Sequence, residues 1–133
     1  MSEPFNFPVT HTKIQSRFFD TDMLGHISTT SYVQYMELGR LDLLRHVAET
    51  ISEMPMSVVA NLNLDFIGEI MLDEPVSVVT WVSHIGSKSM VVNNDIFAGE
   101  RLAAKGAATM VGFDTTTRKA ITLPSHWRAS IKD

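Results

Sequence analysis

A single segment with helical periodicity constrains the fold of this chain more than any other feature. Apolar residues recur at spacings of three and four from Tyr32 to Val47, which predicts one helix over about residues 30 to 50. Strands are predicted at 11–19 before the helix and at 57–70, 75–85, 89–98 and 101–113 after it, with a short edge piece at 121–123. Short turns between the later strands make neighbours antiparallel. One helix and one antiparallel sheet predict an α+β domain of two layers.

The helix has a marked start and carries signs of close packing on the sheet. Ser31 followed three residues later by Gln34 fits a capping box, with competing caps at positions 28–30. Gly39 lies within the apolar stripe of the helix. One face of the last long strand carries only small residues, namely Ala104, Gly106 and Ala108. Without bulky side chains between them, the helix and the sheet are predicted to lie close together.

Both faces of the predicted sheet carry apolar residues, although a single helix covers only one face. Along the strand 75–85, Val78 and Val82 on one face alternate with Val79 and Trp81 on the other. The uncovered face or an edge needs another partner, and a second copy of the chain is the most economical one. We therefore expect a homodimer, and pairing of two such dimers into a homotetramer.

Length, charge and cysteine content narrow the class of protein further. The 133 residues suit one domain, which we expect to span residues 1–133. The net charge of −4 gives no reason to expect nucleic acid or an anionic membrane as a partner. The absence of cysteine excludes disulfides and cysteine-ligated zinc, and it fits a reducing cytoplasm. The first residues lack the features of a secretory signal, so we expect a cytoplasmic protein.

The segment before the helix combines the residue types that acyl transfer requires. Asp20, Asp22 and His26 lie in a tight turn with Gly25, directly before the predicted helix. Unpaired backbone N–H groups at a helix start can bind an oxyanion, and a nearby carboxylate can attack a carbonyl or activate water. The alternative is ordinary turn chemistry, because aspartates before glycine often bond to the local backbone.

A resemblance to a known family rests on the motif Asp20-x-Asp22-x-x-Gly25-His26-Ile27, followed by Tyr32, Tyr35, Glu37 and Arg40. The motif resembles the signature of hotdog-fold acyl-CoA thioesterases of the 4-hydroxybenzoyl-CoA thioesterase type, and the similarity covers about residues 10–113. It implies a long central helix wrapped by a curved antiparallel sheet of about five strands. It also implies hydrolysis of an acyl-CoA to a carboxylic acid and CoA, with no cofactor apart from the CoA of the substrate.

The resemblance also assigns roles to individual residues in the turn. The second aspartate of the family motif is the catalytic carboxylate, acting as nucleophile or general base, and this position is Asp22. The oxyanion donor of the family is a backbone N–H at the start of the long helix, which falls near Thr29. Gly25 and His26 border the substrate pocket in this alignment.

Other candidate contacts have plain structural alternatives. Lys88 in the 86–88 turn matches a region that contacts CoA in the family, but it could be a solvated turn lysine, and Arg101 and Lys105 are similar candidates. Asn63 lies on a strand predicted to be internal and could face either the pocket or solvent. Glu37 and Arg40 lie three residues apart on the predicted helix. They could form a surface ion pair, or they could have a structural role at the dimer interface.

Two further functions remain open on the same fold. The first alternative is a dehydratase or hydratase that acts on acyl thioesters. Such enzymes resemble one another in a Gly-His-Phe-Pro stretch, whereas Gly25-His26 is followed here by Ile27-Ser28. A non-catalytic acyl-CoA-binding protein is the other alternative, because a fold does not determine function. The spacing of the histidines and aspartates near the turn matches no common metal-ligand motif, so we expect no metal site.

Overall fold

The computed structural model describes residues 3–51 and 54–132, in which one α-helix lies against a curled antiparallel sheet. The helix α1 spans Thr29–Thr50 and follows a 3₁₀ turn at Phe18–Asp20. The main strands are β2 Thr10–Ile14, β3 Ser57–Phe66, β4 Val76–Ile85, β5 Ser89–Ala98 and β6 Arg101–Asp114. Three two-residue strands complete the set: β1 Phe5–Asn6, β7 Lys119–Ala120 and β8 Trp127–Arg128. The predicted α+β class, with its long helix and curved sheet of about five strands, is confirmed.

The order of the main strands in the sheet is β2-β4-β5-β6-β3, and all neighbours are antiparallel. The strand β3 therefore lies at an edge, so the prediction that Asn63 sits on an internal strand is wrong. β3 also ends at Phe66 rather than at residue 70, because the N–H groups of Ile67 and Gly68 both donate to the Ala103 carbonyl. This sharing ends the regular ladder and turns the chain away from the sheet.

Two shorter predicted strands also differ from the structure. The strand predicted at 11–19 ends at Ile14, because Asp20 accepts a hydrogen bond from the Arg17 N–H and bends the chain into the 3₁₀ turn. The edge piece predicted at 121–123 lies instead at Lys119–Ala120, where β7 pairs with the end of β6. Beyond it, β8 pairs in parallel with β1.

The helix packs as closely on the sheet as the small residues predicted. A Cβ atom added at Gly39 would lie 2.6 Å from Thr80 Oγ1 and 2.8 Å from Val78 Cγ1. A Cβ atom added at Gly106 would overlap the side chain of Met36. At Gly39 these contacts leave no room for a methyl group, whereas at Gly106 the flexible end of Met36 would have to move. The two glycines thus allow the close approach of helix and sheet.

The cap of the helix differs from the predicted capping box. The N-cap is Ser28, whose carbonyl accepts the N–H of Ser31 at 3.0 Å. The Ser31 hydroxyl cannot cap the helix because it donates to the carbonyl of Asp20 at 2.9 Å. The helix therefore starts at Thr29, and the box predicted from Ser31 and Gln34 does not form.

The free edge of the sheet carries apolar side chains in contact with solvent. Along β3 these are Val58, Val59, Leu62 and Phe66. An exposed strand edge of this length and composition is a template for pairing with another chain. No helix within the described ranges is both long and apolar enough to cross a membrane.

Candidate active site

The turn that precedes α1 is closed by backbone hydrogen bonds. The N–H of Asp22 donates to the carbonyl of His26 at 2.8 Å. The residues on either side of this pair, Thr21 and Ile27, form an antiparallel bridge. Gly25 adopts a φ of 81°, a left-handed conformation that favours glycine at this point of the turn. The turn thus holds Asp22 and His26 at fixed positions in front of the helix.

The two oxygens of the Asp22 carboxylate have different environments. Oδ1 accepts hydrogen bonds from the N–H groups of Leu24 at 2.9 Å and His26 at 3.2 Å. This is the turn chemistry that formed the alternative interpretation of the motif. Oδ2 accepts no hydrogen bond from the residues that the structure describes, and the side chain is exposed. The same carboxylate can therefore support the turn and still present one oxygen to a substrate or a water molecule.

The first N–H groups of α1 remain available for a ligand. The N–H groups of Thr29 and Thr30 have no acceptor in the described parts of the chain, whereas those of Ser31 and Tyr32 donate to the Ser28 carbonyl. The helix dipole adds partial positive charge at this end. An oxyanion placed here would meet two backbone donors that nothing else uses.

Asp22 and Thr29 line one cleft of about 290 Å³. The rest of its lining comes from the end of β3 and the segment that follows it, including Phe66 and Gly68. The rings of Tyr32 and Phe66 meet edge to face with centroids 5.0 Å apart, which joins the helix to the end of β3. The structure therefore brings together three of the predicted site residues, Asp22, His26 and Thr29, and Gly25 lies in the same turn.

Glu69 is a cleft residue that the sequence interpretation missed. Its Oε2 lies 3.3 Å from Nε2 of His26, and both side chains line the cleft. The bridge between His26 and Met71 brings this segment to the turn. The sequence pattern predicted one strand over residues 57–70, so it did not indicate that Glu69 belongs to a loop beside the Asp22 turn.

The first aspartate of the motif is structural. The buried carboxylate of Asp20 accepts hydrogen bonds from the Tyr35 hydroxyl at 2.7 Å and from the Arg17 guanidinium at 2.9 Å. Burial acts to raise the pKa of Asp20, but the hydrogen bonds from Tyr35 and Arg17 outweigh it and lower the pKa below its ordinary value. Burial, together with the anionic Asp20, raises the pKa of Tyr35 to about 12, so Tyr35 stays a donor.

Comparison with known proteins identifies the family of the chain. A family model described as the thioesterase-like superfamily matches residues 16–131. The chain belongs to the thioesterase-like superfamily. The architecture is the hotdog fold, and the predictions of that fold and of a thioesterase are confirmed at the level of this family.

Two solved structures and one curated relative are similar to this chain over most of its length. The DHNA-CoA thioesterase from Staphylococcus aureus is 28% identical, with a TM-score of 0.77 over 87% of this chain and 81% of that one. A Thermus thermophilus thioesterase, solved with coenzyme A and zinc, is 27% identical, with a TM-score of 0.77 over 90% and 88%. The protein YsmA from Bacillus subtilis is 27% identical over 114 residues, which cover 82% of this chain and 76% of the relative.

Asn63 and Lys88 lie away from the Asp22 cleft of the same thioesterase-fold protomer. Asn63 donates a hydrogen bond to Asn61 Oδ1 at 2.8 Å on the exposed edge strand. Lys88 lies near the Ser57 end of β3, whereas the cleft lies at the Phe66 end. The Lys88 carbonyl accepts the N–H of Gly112 on β6, and Gly112 pairs with Ser57. Neither residue lines the cleft that holds Asp22 within one copy of the chain.

Arg101 borders the cleft within this thioesterase-fold protomer. Its Nη1 would lie 2.9 Å from a Cβ atom added at Gly68, a cleft residue. Its Nη2 donates to Glu74 Oε2 at 2.8 Å, so its charge is partly engaged. Across residues 3–51 and 54–132, no group of three or more His, Asp or Glu side chains could hold a metal ion.

Proposed function

We propose that this protein hydrolyses an acyl-CoA thioester to a free carboxylic acid and CoA. The observation that carries the proposal is the shared cleft of Asp22 and Thr29, which is lined both by a carboxylate with one oxygen free of hydrogen bonds in the described residues and by a helix start with unused N–H groups. Two relatives support the substrate class, since one is named for a CoA thioester and the other was solved with coenzyme A. CoA enters as part of the substrate, and the reaction needs no separate cofactor.

Two routes use the same carboxylate. As a nucleophile, Asp22 attacks the thioester carbonyl, the C–S bond breaks, and water then hydrolyses the mixed anhydride. As a general base, Asp22 takes a proton from a water molecule that attacks the carbonyl, and the departing thiolate regains a proton. In both routes the Thr29 N–H donates to the developing oxyanion, which removes about 3–4 kcal/mol from the barrier in comparable sites.

With the thioester carbonyl placed between Asp22 and the Thr29 N–H, the neighbouring residues form the pocket walls and the substrate contacts. Gly25 allows the tight turn, and His26 with Glu69 forms a polar rim beside the reacting carbonyl. Asn63 and Lys88 contribute to substrate binding from a second copy. Antiparallel pairing of two β3 edges would place the Ser57 end of one copy beside the Phe66 end of the other, and with it Lys88 of the partner subunit.

The protein is accordingly a homodimer in this proposal, and dimers pair further into a homotetramer. The exposed apolar edge of β3 supports the dimer, because such an edge in a soluble protein is otherwise a site of aggregation. The cytoplasmic location stays a prediction from the sequence.

The decisive experiment replaces Asp22 by Asn and measures thiol release from a panel of short, long, branched and aromatic acyl-CoAs. The chain contains no cysteine, so a thiol reagent reports only the released CoA. We expect a loss of about 10²- to 10⁴-fold in kcat/KM, as for removal of a catalytic base. The matched control Asp73→Asn changes an aspartate outside the cleft and should retain activity.

Three outcomes would reject the proposal. Activity of Asp22→Asn within about tenfold of wild type would remove the assigned role of the carboxylate. Tight acyl-CoA binding without turnover across the panel would favour a binding protein. Hydration of an enoyl-CoA without thiol release would favour the hydratase alternative.

A further inference from the structure

A second cleft adjoins the Asp22 turn. It has a volume of about 570 Å³, and it is lined mainly by apolar side chains, namely Phe18, Phe19, Met23 and Leu72. Asp22 lines this cleft as well as the cleft that contains Thr29. We call the two the Phe19 cleft and the Thr29 cleft, and they adjoin at Asp22.

The apolar side chains of the Phe19 cleft are exposed to solvent to an unusual degree. Phe19 is 93% exposed, and Phe18, Met23 and Leu72 are exposed as well. The rings of Phe18 and Phe19 lie with their centroids 5.8 Å apart. Single exposed apolar residues are common on protein surfaces, whereas a contiguous group of this kind marks a place where something binds.

The 3₁₀ turn that carries the two phenylalanines is anchored to the rest of the protein. Asp20 is buried and accepts the Tyr35 hydroxyl at 2.7 Å, which fixes this turn to α1. Both the N–H and the hydroxyl of Thr21 donate to the Phe18 carbonyl, at 3.2 Å and 2.7 Å. The exposed rings therefore form an apolar surface before any ligand binds.

A thioester substrate has two arms that leave its carbonyl carbon in different directions. One arm is the acyl chain, and the other is the sulfur with the pantetheine of CoA. In the proposed function the carbonyl lies between Asp22 and the Thr29 N–H, where the two clefts adjoin. Each arm can therefore occupy one cleft.

The chemistry of the two linings distinguishes the arms. The Thr29 cleft includes His26 and Glu69, and Arg101 borders it. The pantetheine arm carries amide and hydroxyl groups and ends in phosphates, so it finds hydrogen-bond partners and a cation there. In the Phe19 cleft such groups would lose water without gaining partners, whereas an acyl chain would gain from the burial of apolar surface.

We propose that the Phe19 cleft binds the acyl chain of the substrate, and that the enzyme therefore prefers apolar acyl groups long enough to cover Phe19 and Met23. The inference rests on the proposed function and adds the class of acyl group to it. An acetyl group is too short to cover these side chains. A carboxylated acyl group such as succinyl brings a charge to an apolar surface next to the carboxylate of Asp22, so it is disfavoured.

A chain-length series tests the proposal in wild type. The rate of thiol release gives kcat/KM for acetyl-, butanoyl-, hexanoyl- and octanoyl-CoA. Burial of one methylene is worth up to about fourfold, and about twofold where the cleft covers one side of the chain, so octanoyl-CoA should exceed acetyl-CoA by at least about 60-fold. Succinyl-CoA has the same number of acyl carbons as butanoyl-CoA and should be hydrolysed at least about tenfold more slowly.

Serine substitutions connect the chain-length dependence with the cleft. In the double variant Phe19→Ser/Met23→Ser, the ratio of kcat/KM for octanoyl-CoA to that for acetyl-CoA should fall at least about tenfold. If this variant does not fold, either single variant replaces it, with an expected fall of at least about threefold. Ile131→Ser is the matched control, because Ile131 is 77% exposed and lies outside the lining of both clefts, and the ratio should stay within about twofold of wild type.

Binding to Asp22→Asn repeats the comparison without turnover. Calorimetry should show that octanoyl-CoA binds at least about tenfold more tightly than acetyl-CoA, and the two serine substitutions should remove most of this difference. Chain-length-dependent binding without hydrolysis by wild type would reject the proposed function and keep the inference.

The inference is overturned if kcat/KM and affinity do not depend on chain length, or if the serine variants keep the chain-length dependence of wild type. An unchanged dependence together with weaker subunit association in sedimentation velocity would assign the Phe19 cleft to an interface between copies instead. In each of these cases, thioester hydrolysis by wild type would leave the role of Asp22 intact.

Discussion

The Tyr35 hydroxyl of helix α1 donates a hydrogen bond of 2.7 Å to the carboxylate of Asp20, two residues before Asp22. The carbonyl of the same aspartate accepts the Ser28 N–H at 2.8 Å and the Ser31 hydroxyl at 2.9 Å. Asp20 thus binds the helix through both its side chain and its backbone. This double attachment holds the start of the helix, with its unused N–H groups, at a set distance from the Asp22 turn.

Replacing Tyr35 by Phe should lower the free energy of unfolding by about 1.5–3 kcal/mol, because a buried carboxylate loses a hydrogen bond. Denaturant unfolding measures the change. Tyr32→Phe is the matched control, since the Tyr32 hydroxyl makes only a long bond of 3.4 Å to the Gly68 carbonyl. Equal losses of unfolding free energy in the two variants would show that the hydrogen bond to Asp20 stabilises the fold no more than the long Tyr32 bond does.

The lowered pKa of Asp20 predicts a pH dependence of stability. Because the pKa is lower in the folded than in the unfolded chain, the ionised group stabilises the fold above its ordinary pKa of 3.8. This contribution is lost as the pH falls through the lowered pKa. Unfolding free energies measured from pH 7 to pH 2 should therefore decline more steeply below about pH 4 in wild type than in Asp20→Asn. Parallel declines would contradict the prediction.

Replacing Thr29 by Pro should remove the proposed oxyanion donor with little effect on the fold. Thr29 is the first residue of α1, a position that accepts proline, and Ser28 before it is already extended with φ −74° and ψ 157°. We expect kcat for acyl-CoA hydrolysis to fall about 10²- to 10³-fold. Thr29→Ala keeps the N–H and should stay near wild type. A Thr29→Pro enzyme with normal kcat and normal unfolding would exclude this N–H from catalysis.

Replacing Gly39 by Ala should destabilise the protein despite the better helix propensity of alanine. The added Cβ atom would meet Thr80 at 2.6 Å, Val78 at 2.8 Å and Asn94 at 3.0 Å. Overpacking costs about 1–3 kcal/mol, whereas the propensity gain is about 1 kcal/mol, and three close contacts favour a net loss of about 2 kcal/mol. Gly86→Ala is the control, because its nearest neighbours lie at 3.5 Å, and its free energy of unfolding should change by less than about 0.5 kcal/mol.

The sequence correctly predicted the helix and the hairpin strands, because their signals lie in residues close together along the chain. The helix predicted at 30–50 is observed at Thr29–Thr50, and the hairpin strands predicted at 75–85 and 89–98 are observed at Val76–Ile85 and Ser89–Ala98. Periodicity and turn residues carry this information within a few positions. The end of β3 at Phe66 was missed because two N–H groups share one carbonyl of β6, a contact that no local pattern records.

The sequence by itself determined that a carboxylate turn precedes one long helix on an antiparallel sheet, since these features depend on neighbours a few residues apart. Only the tertiary structure decided that Glu69 joins His26 at the cleft and that Lys88 lies at the far end of β3. Such partnerships depend on how distant strands align in register, and a shift of one residue moves every side chain of a strand to the other face.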